Sequence, residues 1–570
     1  MELPRSRRSS HSPVRGMTEC GPPYTSAVNE KKSSFKTPLL LSFVIIFVVV
    51  ASWLSYDIFV SFVSDTQLAQ SAVVLVGVDA NISSASRIAA GGDVLPGKTS
   101  TEAGKIEDRT LGGLLPDLAE FEPGVCASRS QQPHRKNYFQ PSKELIRRLR
   151  RYEVRHRKCA GRARNFFHPQ SQSEKDDCRY VVWIAFSGLG NRLMTLMGAF
   201  LYALLTDRTL LVDGTKDMSE LFCEPIPKSS WLLPPEFTEE WLKTVNESSP
   251  QRFAHNSTDG GGSSVTADFS YIHFTYTFDH KDETFFCDES QDQLESVPWV
   301  FMKSDNYLVP GYYFVSRFNS DLGALFPDRG LMFHLLGNYL FHPSDAAWAW
   351  ITRFYRSYLS NQDRLLGIQI RTFRPGPLPS FSEQLQQCIL NNSILPKVVA
   401  DGHSELKQQI SGLRELKNGT TVLMTSLESY YYDNLREYYL SRPTESGESV
   451  AIHQPSHEGK QRTDNIGHDI KAWAEIYLLS LSDSLITSGW STFGYAAQAL
   501  AGVRPWILLK SEDDQVPDPP CVRAKSVEPC YHQFPIGNFK CPSKDAAHDR
   551  NSFAYLQPCE DVFFGAKLVQ

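Results

Sequence analysis

Apolar residues recur at helical spacing over Ile470, Trp473, Ala474, Tyr477, Leu478 and Leu481, and the run from Ser484 to Thr487 then reads as a buried strand. That strand delivers a polar turn, Ser488-Gly489-Trp490-Ser491-Thr492. A second helix begins near Phe493 with Ser491 or Thr492 as its cap, and Trp506 to Leu509 supplies another strand. A helix starting at the end of a buried strand presents unpaired N–H groups, which together with the helix dipole favour an anionic ligand such as a phosphate.

The same alternation opens earlier in the chain. Arg179 to Phe186 reads as a strand, Ser187-Gly188-Leu189-Gly190-Asn191-Arg192 as a turn, and Leu193, Met197, Phe200, Leu201 and Leu204 as the stripe of a helix that returns to a strand at Thr209 to Val212. Leu365 to Ile370, Thr421 to Met424, Ser484 to Thr487 and Trp506 to Leu509 give the strands of a second parallel unit. The pattern predicts an α/β fold of two Rossmann-like domains facing a cleft. Lys143 to Arg157 is a basic helix with Leu145, Leu149 and Tyr152 on one face and reads as a solvated lead-in to this head. Pro250 to Asp268, with its Gly260-Gly261-Gly262 run, reads as a surface insertion.

Before the head, Thr37 to Tyr56 is a 20-residue stretch without a charge, long enough to cross about 30 Å of hydrocarbon as a helix. Lys31, Lys32 and Lys36 precede it and no Lys or Arg follows until Arg87, so the positive-inside rule predicts a single-pass type II anchor. Residues 1–36 then form a cytosolic tail, 37–56 the membrane span and 57–140 a Ser, Gly, Pro and Ala-rich lumenal stem with little fixed structure. The first Rossmann-like domain takes 141–360, the second 361–520, and 521–570 is a C-terminal tail. Gly92 to Thr99 matches the phosphate-loop expression letter by letter, but it lacks a strand before it and a helix after it and is a coincidence.

Composition refines this picture in two places. The formal net charge of −6 gives no reason to expect nucleic acid as a partner. Of the 11 cysteines, all but Cys20 fall on the lumenal side, an even number where disulfides form; Cys521, Cys530, Cys541 and Cys559 crowd the tail and suggest that it is stapled.

Chemistry gathers at the predicted strand ends. The Gly188-Leu-Gly190 turn lacks the third glycine of the dinucleotide fingerprint, which argues against NAD; Asn191 offers hydrogen bonds to sugar hydroxyls and Arg192 a forked cation to a phosphate. Arg371 ends an apolar strand at the edge from which Ser488 to Thr492 emerges, and its fixed donors suit a diphosphate leaving group. No Asp-x-Asp triplet occurs in the sequence. Leaving-group charge is therefore assigned to Arg371 and the helix N-terminus rather than to a divalent ion.

Longer blocks carry a resemblance to a family. Gly190-Asn191-Arg192, Asp279-His280-Lys281-Asp282-Glu283, Met302-Lys303-Ser304-Asp305-Asn306-Tyr307, Lys471-Ala-Trp473-Ala-Glu475 and Trp490-Ser491-Thr492-Phe493-Gly494-Tyr495 resemble the plant cell-wall α-1,2-fucosyltransferases. The resemblance implies a Golgi membrane enzyme with a variant of the two-Rossmann-domain (GT-B) glycosyltransferase fold. It implies transfer of fucose from GDP-fucose to O2 of a galactose on a wall polysaccharide, with inversion and without metal or other cofactor. Gly190, Asn191, Arg192, Arg371, Trp490, Ser491, Thr492 and Phe493 become the donor-binding set. Broader relatives place His-x-Arg-Arg where this chain has Gln369-Ile370-Arg371-Thr372, so a second cationic contact falls to Arg192 or Arg374.

An inverting transfer calls for a group that removes the acceptor proton, and Asp305, in a polar turn after the Trp299 to Met302 strand, is assigned that part. Aromatic clusters at Tyr271 to Phe278 and Tyr307 to Phe314 are assigned to acceptor stacking. The competing reading is a membrane-tethered lectin that holds wall glycan without turnover.

Overall fold

The computed structural model describes residues 110–570 except 122–125, 132–138, 165–176, 254–268, 276–279, 400–416, 536–540 and 542–552, and except positions 217, 241, 243, 244, 247, 250, 251, 464, 512 and 513. The anchor at 37–56, the Gly92–Thr99 coincidence and most of the stem lie outside the described residues. Among the described residues no helix is long and apolar enough to cross a membrane.

Two parallel sheets organise the molecule. The first holds β1 (Tyr180–Ile184), β2 (Thr209–Val212), β3 (Phe269–Phe274) and β4 (Trp299–Ser304) in the order β2-β1-β4-β3, every neighbour parallel. The second holds β5 (Arg364–Gln369), β6 (Lys417–Thr425), β7 (Glu448–His453), β8 (Ser484–Ser488), β9 (Trp506–Leu508) and β10 (Cys521–Arg523) in the order β10-β9-β8-β5-β6-β7, parallel except for β10. Continuous apolar runs such as Tyr-Val-Val-Trp-Ile in β1 mark strands covered on both faces, which parallel sheets require because crossover helices lie on each side.

Among the helices of the described residues, those that bear on the site are α1 (Lys143–Ala160), α2 (Leu189–Leu205), α3 (Met332–Leu340), α4 (Asp345–Phe354), α5 (Pro379–Asn391), α6 (Ile466–Leu479) and α7 (Thr492–Ala501). The basic helix α1 is not a solvated lead-in. Leu145, Leu149, Tyr152, Glu153 and His156 are buried, the Leu210 N–H donates to the Tyr152 hydroxyl at 3.1 Å, and Cys159 is disulfide-bonded to Cys178 just before β1. Its arginines carry the charge outward or into pairs such as Arg148 with Asp321, so a basic sequence conceals a buried apolar stripe. The expectation of a structureless stem up to residue 140 also fails at its end: Leu114 and Leu115 join the core and Cys126 is bonded to Cys223.

One hydrophobic cluster runs from the first sheet's helices through α3 and α4 into α6 and α7. The halves are therefore fused through a shared core, with α2 against α7 and α4 against α6. The tail is fused too. Of its four cysteines only Cys530 and Cys559 pair with each other; Cys541 is tied to Cys287 in the first half and Cys521 to Cys388 on α5. Closing loops of 254 and 133 residues restricts the unfolded chain in the way that long-range disulfides do.

Those residues of the aromatic clusters assigned to the acceptor that are described turn out to be core, while Tyr276 and Phe278 lie outside the described residues. Tyr271, Phe274, Tyr307, Tyr312, Tyr313 and Phe314 are buried, packed on partners such as Phe285, Phe286 and Phe534. Hydroxyls of Tyr307 and Tyr312 are satisfied inside the protein by Glu528 and the Gly198 carbonyl.

Candidate active site

Both sheets end their strands at one cavity of about 560 Å³. Its first wall comes from the β1–α2 turn, Ser187 to Arg192, and from Asp305 and Asn306 after β4. Its second comes from Gln369 to Arg371 after β5, Thr425 to Leu427 after β6, the segment Ser456 to Thr463, the inner face of α6, and Trp490 to Phe493 after β8. His532, Gln533, Val562 and Phe564 of the tail close the ring.

The β8–α7 turn is built as the sequence predicts. Trp490 takes a left-handed backbone, φ 63°, which reverses the chain after Gly489. Ser491 is the N-cap, its hydroxyl accepting from the Gly494 N–H at 3.5 Å. Thr492 and Phe493 open α7, where N–H groups have no carbonyl one turn back, and both line the cavity. Arg371 stands beside them, its own N–H donating to the Ser488 hydroxyl at 2.8 Å. Its guanidinium donates to Gln461 Oε1 at 3.1 Å and lies over the Phe373 ring, and among the described residues it has no carboxylate partner. Burial lowers its pKa with no opposing charge to offset the cost, so an anion entering the cavity meets an uncompensated cation.

Arg192, expected to offer a phosphate contact, is placed differently from Arg371: it lines the cavity but is paired. It is 1% exposed, donates from Nη1 to Asp469 Oδ2 on α6 at 2.8 Å and from Nε to the Ser187 carbonyl at 3.0 Å. Its charge is spent on joining the two halves. Arg374 is likewise paired, with Asp514 at 2.5 Å. Asn191 neither caps the helix nor projects alone: Gly188 is the N-cap, and Asn191 Nδ2 donates to the Ser187 hydroxyl at 3.1 Å. Gly190 acts by what it lacks. A Cβ there would lie 2.7 Å from Phe493 N, so only glycine lets the start of α2 rest on the start of α7.

Asp305 sits on the first wall in a half-buried turn; its N–H donates to the Phe274 carbonyl at 3.3 Å, and Asn306 Nδ2 donates to its Oδ1 at 2.9 Å. Asn306 also donates to Gln533 Oε1 at 3.1 Å, which docks the tail on this turn. The tail grips the second wall as well. Asp561 Oδ2 accepts from the Trp490 N–H at 2.8 Å and from the Tyr495 hydroxyl at 2.5 Å, and His532 Nε2 lies 3.1 Å from the same hydroxyl. Burial lowers the His532 pKa below the ordinary histidine value.

Glu475 is the group that the sequence reading passed over. It lines the cavity from α6 among the buried Trp473, Ala474, Ile476 and Tyr477, and the Ser456 hydroxyl donates to its Oε1 at 2.6 Å. Burial pushes its pKa up to about 8, a cost that the Ser456 bond and Lys471 offset only in part. A carboxyl on the buried face of an otherwise apolar helix was the available signal.

Known proteins are similar to this chain. The family model for xyloglucan fucosyltransferases matches residues 84–541. A galactoside 2-alpha-L-fucosyltransferase of Pisum sativum is 44% identical over 478 residues, covering 81% of this chain and 82% of its own length. Fucosyltransferase 2 of Arabidopsis thaliana is 40% identical over 81% of this chain and 88% of its own. Among solved structures, an arginine-to-lysine mutant of Arabidopsis thaliana FUT1 in complex with GDP superposes with a TM-score of 0.73 at 39% identity, covering 81% of this chain and all of that one. The fused parallel sheets, the cavity at their strand ends and these matches place the chain in the xyloglucan fucosyltransferase family.

Proposed function

We propose that this fucosyltransferase moves L-fucose from GDP-fucose to O2 of a galactosyl residue on a cell-wall polysaccharide, with inversion, on a variant GT-B framework held in the Golgi lumen by a type II anchor. The observation that carries the reading is Arg371: a cation without a carboxylate partner among the described residues, beside the N-terminus of α7 and inside a cavity of nucleotide-sugar size. The solved relative was crystallised with GDP, and the pea relative is named for 2-linked fucose on galactosides.

Each wall then takes a part. The diphosphate lies between the Arg371 guanidinium and the Thr492 and Phe493 N–H groups, which stabilise the charge that develops on the leaving oxygen. Trp490 and Ser491 hold that turn in shape, and Gly190, Asn191 and Arg192 build the opposite wall. Guanine lies toward α6, where the Glu475 carboxylate accepts from its N1–H and exocyclic amine. Galactose O2 attacks the anomeric carbon from the first wall as the carbon–oxygen bond to GDP breaks, and Asp305 takes the hydroxyl proton. With leaving-group charge met by the protein, transfer needs no divalent ion.

The test is transfer by the detergent-solubilised full chain from labelled GDP-fucose onto galactosylated polymers, with and without chelator. Arg371→Ala should lower kcat/KM by about 10²–10³, the scale of losing one charge-stabilising donor. Activity that appears only with manganese, or that survives the substitution, overturns the reading. A glycan-binding protein without turnover would show no transfer at all.

A further inference from the structure

The described aromatic residues near β3 and β4 are core, which turns attention to rings exposed elsewhere. Five large apolar side chains are exposed among the described residues, and Phe563 is the extreme at 83%. It follows Val562 and precedes Phe564, both of which line the cavity. The Gly565 N–H donates to the Val562 carbonyl at 2.9 Å, closing a tight turn whose central residues are the two phenylalanines. Gly, Pro, Asn, Asp and Ser dominate such positions, so adjacent aromatic residues there run against turn chemistry. Phe564 faces inward and meets the Trp490 ring edge to face at 6.2 Å; the Phe563 ring stands 5.0 Å from Phe564, nearly perpendicular to it.

The turn is held firmly. Asp561, two residues earlier, grips the Trp490 N–H and the Tyr495 hydroxyl; Cys559 is bonded to Cys530, and Ala566 pairs with Tyr531. An exposed ring held in place gives up little freedom when something stacks on it. Its surroundings narrow the occupant. Val562 is buried, Phe564 lines the cavity and the Glu560–Lys567 pair is itself buried, so Phe563 is a single exposed ring at the cavity rim rather than the broad apolar patch of a protein interface. A sugar, uncharged and with one C–H-rich face, fits such a spot, and the spot continues the cavity wall outward.

We propose that Phe563 forms an outer acceptor subsite, stacking on a sugar of the acceptor glycan other than the galactose that receives fucose, so that extended glycans are preferred over small galactosides. This rests on the fucosyl-transfer reading for the identity of the acceptor. The experiment compares the wild-type full chain, Phe563→Ala and Phe563→Trp on a galactosylated oligosaccharide and on methyl β-galactoside. Retention of each protein in a gel containing the polymer is measured in parallel and needs no turnover. Phe563→Ala should raise KM for the oligosaccharide about three- to ten-fold, the range of one aromatic contact, with KM for GDP-fucose and for methyl galactoside unchanged, and Phe563→Trp should restore it. Equal changes for both acceptors, no change for either, or a shift in elution volume showing that the ring joins two copies overturns the subsite. A wild type that transfers nothing yet loses polymer retention in Phe563→Ala would instead defeat the transfer reading and leave the subsite standing.

Discussion

Two strand-to-helix turns meet at the cavity, and they are near copies in sequence and opposites in use. Ser187-Gly188 opens the first and Ser488-Gly489 the second; each contains a left-handed non-glycine residue, Ser187 at φ 64° and Trp490 at φ 63°. Each is near an arginine. Arg192 is buried against Asp469, whereas among the described residues Arg371 has only the neutral Gln461 for a side-chain hydrogen-bond partner. The start of α2 is pressed against the start of α7, whose Thr492 and Phe493 also line the cavity. A motif with the right letters thus leaves a cation available to an anion only where its charge is unneutralised, and the neutralised copy becomes the joint between the two halves.

The sharpest way to break that comparison is to remove each arginine. Arg192→Met leaves Asp469 a buried carboxylate without its cation, and losing one partner of such a pair costs about 3–5 kcal/mol. Thermal unfolding should show a large fall in Tm for Arg192→Met and almost none for Arg371→Ala, with Asp469→Leu added to Arg192→Met recovering part of the loss. If Arg192→Met kept its Tm and lost only donor affinity, the two arginines would be alike and the distinction drawn here would be wrong.

Local pattern made much of this legible. The β8 strand, the Ser491 cap and the α7 helix follow from apolar spacing and capping chemistry, and Arg371 at the end of β5 follows from a charge closing an apolar run. What the pattern could not show was pairing across the fold. Arg192 and Asp469 are 277 residues apart, and nothing near Arg192 indicates that it is spent. The tail is the larger gap. Cysteine crowding suggested a stapled tail without saying to what, and two of its three bonds reach α5 and the segment before β4, which brings His532, Gln533, Asp561 and Phe564 to the cavity or the donor turn. Aromatic clusters failed for a related reason: burial is a property of the neighbours, and sequence alone gives the same letters for a stacking platform and a core.

Gly190 tests the joint at smaller cost. Its Cβ would meet Phe493 N and the Thr492 carbonyl carbon at 2.7 Å, backbone atoms that move only with α7 itself. Gly190→Ala should cost about 1–3 kcal/mol of stability, as overpacking does, and should displace the Thr492 and Phe493 backbone at the start of α7. Gly198→Ala, on the same helix with ordinary contacts of 3.7 Å and beyond, is the control; it should hold or slightly raise Tm, because alanine is the better helix former. Equal loss of GDP affinity in the two variants would mean that the α2–α7 contact does not shape the donor site.

Glu475 gives the smallest effect and the most specific one. Its carboxyl ionises near 4.5 in the unfolded chain and at about 8 in the folded protein. Between those values the folded state holds a proton that the unfolded state has released, so this residue's contribution to stability falls as pH rises from about 5 to 8. Glu475→Gln removes that titration and should lose less Tm than the wild type over the same interval. Guanine presents two donors and asks for an ionised carboxylate, so GDP binding at pH 7 should expel a proton from the wild type and none from Glu475→Gln. Calorimetry in buffers of different ionisation enthalpy measures that proton directly. Equal proton release by both proteins would remove Glu475 from the base pocket and leave it as a buried polar group tied to Ser456, a structural partner on the Arg192 side of the comparison rather than a binding group like Arg371.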